Sequence, residues 1–204
     1  RGAAVAHGQD HGRHMSARVA VYGGSFDPPH IAHVLVASWA LAMGEVDAVL
    51  VLPTFEHALG KTAGARFEQR MAMCERAFAC LRGVTVSGIE QTLGAPSRTH
   101  KLLLALSEQH PHASFRLVIG ADILPELPRW YRSEDVLRMA PPLVVGRAGY
   151  SPSDGSQLVM PEVSSTRIRA AVAAGEPVDA WVPASVRDYI AEHGLYGAAG
   201  DASP

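Results

Sequence analysis

Between the apolar run Val19-Ala20-Val21-Tyr22 and a helical pattern over 31–43 lies Gly23-Gly24-Ser25-Phe26-Asp27-Pro28-Pro29-His30-Ile31-Ala32-His33. Four apolar residues ended by two glycines are a short buried strand that stops abruptly. Glycines at that point let the backbone approach an anion closely, and the start of the following helix offers N–H groups and the positive end of its dipole. His30 and His33 are three residues apart, so on a first helical turn they project from one face. Two imidazoles beside such a turn can donate hydrogen bonds to a phosphoryl group that gains charge in a transition state. Two blander readings stand beside this one. The rings could only cap and pack, or His-x-x-His could hold zinc, which needs a third ligand that nothing nearby supplies.

Outward from this stretch, further strands read at 48–52 (ended by Pro53), 84–86, 115–119 (running into Gly120) and 142–145 (running into Gly146). Between them lie helical patterns. Phe67, Met71, Cys74, Phe78 and Leu81 form one amphipathic stripe, and other helices read at 98–109, 134–139, 165–174 and 184–193. Strands separated by helices of this length imply parallel pairing with right-handed crossovers. The fold class is therefore α/β, a doubly wound, mostly parallel sheet with a C-terminal helical part. Ligands of such sheets bind beyond the carboxyl ends of the strands, so the residues that follow strands are where chemistry is expected.

Composition narrows the classes. The chain has 204 residues, 48% hydrophobic and 19% charged, which excludes disorder or a coiled coil as a description of the whole. No apolar run reaches the roughly 18 residues that cross a bilayer, and a formal net charge of −2 exerts no general pull toward nucleic acid or acidic lipid. Neither a membrane nor a nucleic acid is expected as a partner; oligomeric state is not readable. Two cysteines and no apolar signal segment imply a reducing, cytoplasmic location. Cys74 and Cys80 are six apart in a helical pattern, about 9 Å along the axis, so they are expected unbonded, as buried small hydrophobes. Residues 1–17 read as a leader without periodicity, natural or left by cloning, 18–197 as one domain and 198–204 as a tail.

Two more segments carry chemistry. Ser164-Ser165-Thr166-Arg167-Ile168-Arg169 opens a helix with hydroxyls that can cap it and sit beside its amides, and Arg169, one turn on, can clamp phosphate oxygens. An ordinary capped helix with a solvated arginine is the bland alternative. Gly120-Ala121-Asp122-Ile123-Leu124, followed by Leu127 and Trp130, comes directly after the fourth strand.

Together these segments resemble the nucleotidyltransferase superfamily with the His-x-Gly-His signature, specifically bacterial nicotinate-nucleotide adenylyltransferases. The first segment is similar to the signature, the second to a Ser-Ser-Thr-x-Ile-Arg motif, the third to Gly-Ala-Asp-x-Leu…Leu-x-x-Trp. The stretch from Val182-Pro183 to Tyr196 resembles the closing helix, so the likeness covers about 18–197. It implies a Rossmann-like nucleotidyltransferase fold and transfer of the adenylyl group of ATP to nicotinate mononucleotide in NAD biosynthesis. His30, His33 and Arg169 would be catalytic. ATP would be bound by Gly24, Ser25, Phe26, His33, Gly120, Asp122, Ser164, Ser165, Thr166 and Arg169, and the acceptor by Thr99, Trp130 and Lys61. The indole of Trp130 suits stacking on a flat pyridine ring, though a plain core tryptophan is also possible. Mg²⁺ would arrive on the ATP phosphates, with no metal ligands from the protein.

The chain departs from the family pattern in three places. Ala32 stands at the signature's glycine. Pro53 is followed by Thr54-Phe55-Glu56-His57, with Lys61 later, so either His57 or Lys61 would be the basic group there. Ser97-Arg98-Thr99-His100-Lys101-Leu102 replaces the usual acceptor stretch, and only Thr99 matches well. The rival readings are a sister enzyme acting on nicotinamide mononucleotide or phosphopantetheine, and a nucleotide-binding module without catalysis.

Overall fold

A computed structural model describes residues 17–55, 64–147 and 159–198. In chain order its elements are β1 (Arg18–Gly24), α1 (Ile31–Met43), β2 (Ala48–Pro53), α2 (Phe67–Phe78), β3 (Val84–Val86), α3 (Ile89–Leu93), α4 (Thr99–Gln109), β4 (Ser114–Gly120), α5 (Ser133–Met139), β5 (Pro142–Arg147), β6 (Val159–Met160), α6 (Ser165–Ala173) and α7 (Ala184–Glu192). The strands form one sheet in the order β3-β2-β1-β4-β5-β6, and every recorded pairing is parallel. The expected doubly wound α/β sheet is present, with parallel pairing throughout the described strands.

Alternation along the strands builds two apolar layers. Ala20 and Tyr22 of β1, with Val49 and Val51 of β2, face the core made with α1, α2, α6 and α7. Val21 and Leu52 face the other core, made with α3, α4 and α5. The chain steps from β1 to β2 to β3 with its helices on the first face. It then returns across the sheet and steps from β4 to β5 with α5 on the second face, as a constant crossover hand requires. The direction of winding therefore reverses between β1 and β4, the switch point where such folds bind ligands.

The pairing there has a gap. β1 and β4 are registered from Arg18↔Ser114 to Val21↔Leu117 and no further, although β1 continues to Gly24 and β4 to Gly120. On its other side β1 stays paired with β2 as far as Gly24↔Pro53. The carboxyl ends of β1 and β4 thus part over their last three residues, and a crevice opens where the two glycine-containing segments begin.

The structure corrects several details. Helix α2 ends at Phe78, so Cys80 lies beyond it and is exposed; only Cys74 is the expected buried hydrophobe, and both thiols are free. Burial pushes the Cys74 thiol far above its ordinary range, which leaves it inert. The five-residue α3 and the two-residue β6 had no periodic signal to announce them. Among the described residues no helix is long and apolar enough to cross a membrane.

Candidate active site

His30 is the residue before α1, and its backbone N–H donates to Nδ1 of His33 at 3.1 Å. The two rings stack with centroids 3.7 Å apart and planes 23° apart. On its other flank the His33 ring meets the edge of Phe26 at 4.9 Å, and Tyr22 lies at 6.3 Å. Because Nδ1 of His33 accepts, its proton in the neutral ring sits on Nε2, which is thereby a hydrogen-bond donor. His30 is buried at 3% exposure, whereas His33 is half-buried, so the outer ring of the stack is His33. Ala32, also buried, sits between them without disturbing the stack.

One expectation changes here. The sequence predicts that the start of α1 offers its N–H groups to an anion, but the Ile31 N–H donates to the carbonyl of Trp181 at 2.8 Å and the His30 N–H to His33. Two of the amides expected to receive an anion are thus already engaged. What the helix start presents is the imidazole.

The loop from Gly24 to Pro29 is held by its carbonyls. Gly24 O accepts the Thr54 N–H at 2.9 Å, Ser25 O accepts from Arg70 Nη1 at 2.9 Å, Asp27 O from Arg169 Nη1 at 2.7 Å, and Pro28 O from the Ser165 hydroxyl at 2.9 Å. Phe26 adopts φ 46°, a left-handed backbone that a bulky residue takes only under constraint, and its ring is fully buried against Tyr22 and Phe78. These bonds join the histidine segment to the start of α6. Ser164 caps α6 by accepting the Arg167 N–H at 3.3 Å, and Thr166 Oγ1 accepts from Arg169 Nη2 at 3.4 Å. Ser164 and Thr166 are exposed, while Ser165 and Arg169 are half-buried against the loop.

Asp27, 3% exposed, is the hub of this junction. Its Oδ1 accepts from the Ala65 N–H at 3.1 Å and the Tyr196 hydroxyl at 2.7 Å. Its Oδ2 accepts from the Gly64 N–H at 2.6 Å and lies 3.7 Å from Arg169 Nη1. Burial first, then the nearby Asp27 carboxylate, pushes the Tyr196 hydroxyl well above the usual phenol range, so it remains a donor. Arg70, also 3% exposed, donates from Nε to Ala65 O at 3.3 Å besides its bond to Ser25. Burial lowers its affinity for its proton, and the Asp27 charge opposes that shift.

Across the crevice, Gly120 closes β4 and Asp122 folds back over it. A Cβ at position 120 would stand 2.3 Å from Asp122 Oδ1, so any larger residue there has to turn that carboxylate away. Trp130 follows a short 3-10 turn, Leu127–Arg129, and is half-buried against the second core. Thr99 is the first residue of α4. Its neighbours reach the Trp130 segment: the Arg98 guanidinium lies 4.7 Å above the Tyr131 ring, and His100 meets Tyr131 edge-on at 5.9 Å and stands 4.0 Å from Asp135. Arg98 and His100, two of the residues that depart from the family pattern, therefore pack on the segment carrying Trp130. His57 and Lys61 lie outside the described residues.

Sequence reading brought out the histidines, the α6 motif and the Gly-Ala-Asp turn, but not Arg70, Gly64 or the role of Tyr196. Arg70 reads as an ordinary polar position on an amphipathic helix. Nothing local distinguishes Tyr196, whose partner Asp27 is 169 residues away.

Known proteins share both the sequence and the fold. A cytidylyltransferase-like family model matches residues 21–171. A protein of Anaeromyxobacter sp. (strain K) named "Probable nicotinate-nucleotide adenylyltransferase" is 46% identical over 181 residues, covering 87% of this chain and 96% of its own. A protein of the same name from Myxococcus xanthus (strain DK1622) is 40% identical over 186 residues, 89% of this chain and 96% of its own. The solved Plasmodium falciparum nicotinic acid mononucleotide adenylyltransferase complexed with NaAD has the same fold, with a TM-score of 0.73 at 18% identity over 88% of this chain and 97% of its own. By its sequence along most of its length, the chain belongs to the nicotinate-nucleotide adenylyltransferases of the cytidylyltransferase-like family.

Proposed function

We propose that the chain is an enzyme that joins the 5′-phosphate of nicotinate mononucleotide to the α-phosphorus of ATP. A phosphate oxygen of the acceptor forms the new bond as the bond from the α-phosphorus to the β-phosphate oxygen breaks. Nicotinate adenine dinucleotide and pyrophosphate are the products. The attacking oxygen is already anionic, so no side chain need be a nucleophile, and catalysis rests on positioning and on neutralising charge.

The observation that carries this reading is the His33 ring, locked by His30 and Phe26 at the parted ends of β1 and β4 with Nε2 as donor. In the reading, that donor meets an α-phosphoryl oxygen, where charge rises most in the transition state. His30 fixes the ring from beneath. Arg169, with Ser165 and Thr166 beside it, faces the departing pyrophosphate; Ser164 caps the helix that carries them. Gly24 and Ser25 line the nucleotide on the β1 side, with the buried Phe26 ring holding their loop from behind, and Gly120 and Asp122 on the β4 side. Trp130 and Thr99 take the acceptor end, joined by Lys61 or His57. Magnesium enters with the substrate, as MgATP, and retains most of its own waters.

The test is release of pyrophosphate from ATP in the presence of each candidate acceptor. Turnover with nicotinate mononucleotide is expected. Tight ATP binding without turnover on any acceptor would identify a binding module instead.

A further inference from the structure

The Asp27 carboxylate is shared among three elements far apart in the chain. Each oxygen takes one amide of Gly64–Ala65, and the remaining two approaches belong to Tyr196 and Arg169. These last two are unequal. The Tyr196 hydroxyl is at 2.7 Å, a full hydrogen bond, whereas Arg169 Nη1 stands off at 3.7 Å and bonds instead to the Asp27 main-chain carbonyl at 2.7 Å. Charge-assisted N–H···O bonds close to about 2.7–2.9 Å when nothing competes, so the Arg169 pairing is incomplete.

Two further observations mark Tyr196 as held on purpose. Its backbone lies at φ 60°, ψ 20°, in the left-handed region that a bulky residue enters only when its surroundings hold it there. Gly64 is wedged between Tyr196 and Arg169: a Cβ at position 64 would lie 3.0 Å from Arg169 Cδ and 3.1 Å from the Tyr196 ring. The phenol ring, the glycine and the stem of Arg169 thus pack together beside the carboxylate.

We infer that Tyr196 is a positioning residue for adenylyl transfer: by engaging Asp27 it keeps the Arg169 guanidinium out of a closed ion pair, anchored by one main-chain bond and available to phosphate. Without the hydroxyl, Oδ1 loses its short partner, the carboxylate gains negative potential, and Arg169 closes onto it. The cost would fall on the ATP phosphates and not on the acceptor. The inference rests on the reading of Arg169 as a phosphate partner, and the experiment separates the two.

The experiment is steady-state kinetics of the full chain against ATP and against nicotinate mononucleotide, with melting temperatures, for Tyr196→Phe, Asp27→Asn, their double variant and Arg169→Lys. Tyr196→Phe is expected to raise KM for ATP about five- to tenfold, the worth of one ordinary net hydrogen bond, while KM for the acceptor stays within about twofold. In the Asp27→Asn background the same change is expected to add nothing, because no anion remains to recapture Arg169. An unchanged KM for ATP in Tyr196→Phe, or equal rises for both substrates with a lowered melting temperature, would overturn the inference and leave Tyr196 a structural anchor. An unchanged KM for ATP in Arg169→Lys would overturn the underlying reading of Arg169 itself.

Discussion

The His33 imidazole lies flat on that of His30, centroids 3.7 Å apart, while its Nδ1 accepts the His30 backbone N–H at 3.1 Å. A stack alone would leave the ring free to flip. The hydrogen bond fixes which nitrogen is turned to the helix start, and so which one, Nε2, carries the proton of the neutral ring. His33 is also the third residue of α1, the position from which a glutamine or glutamate reaches back in a capping box. Its structural and chemical roles can therefore be separated.

His33→Gln keeps an acceptor for the His30 N–H, whereas His33→Ala removes it. Both variants are expected to lose on the order of a hundred- to a thousandfold in kcat, the usual loss on deleting one transition-state donor. ATP affinity should change far less, because the charge met by the donor develops only during the reaction. Only His33→Ala should lose stability as well, about 0.5–2 kcal/mol. Turnover rates, nucleotide titration and denaturant melts of the two variants check this.

Arg169→Lys is not conservative. The guanidinium spans Asp27 O and Thr166 Oγ1 with two nitrogens, a fork that an ammonium cannot reproduce. ATP saturation and rate should both worsen, with little change in melting temperature. A destabilised variant of normal specific activity would make Arg169 purely structural.

Gly120→Ala places a methyl 2.3 Å from Asp122 Oδ1. The obstacle is the end of one half-buried side chain, so the fold can yield by turning the carboxylate away. We expect a loss of stability under about 1.5 kcal/mol. If Asp122 faces the nucleotide, KM for ATP should rise out of proportion, which the kinetics and a denaturant melt measured together would reveal.

Arg70→Met should act on the fold. It removes a buried cation that donates to Ser25 O and Ala65 O, and leaves those carbonyls without that partner. Each unsatisfied buried acceptor costs about 1–3 kcal/mol, so a loss of roughly 2–6 kcal/mol in urea unfolding is expected. The loop that carries Phe26 should loosen with it.

The parts legible in the sequence are those whose cause is local. Val19–Tyr22 followed by two glycines announces β1 and the loop after it, and the Phe67-to-Phe78 stripe announces α2. The same stripe misplaces Cys80, because Leu81 still packs on the core after the helix has ended at Phe78. The three site segments are contiguous in sequence, so their residues could be named. What joins them could not, since Asp27 meets Gly64, Arg169 and Tyr196 across separations that no spacing rule reaches. The engaged amide of Ile31 is hidden for the same reason, because the Trp181 carbonyl that takes it comes from the distant C-terminal part, whereas the His30 amide is taken locally by His33.

The central claim is adenylyl transfer onto the acid form of the pyridine nucleotide. Its most direct test compares kcat/KM for nicotinate mononucleotide and nicotinamide mononucleotide at saturating MgATP, with pyrophosphate release as the readout and phosphopantetheine as a third acceptor. Nicotinate offers a carboxylate where nicotinamide offers a neutral amide, and two charge-assisted hydrogen bonds from amides near Thr99 and Trp130 would be worth about 3 kcal/mol. The account predicts a preference for the acid of about a hundredfold and negligible use of phosphopantetheine. Near-equal values for the two mononucleotides, or a preference for the amide, would contradict it.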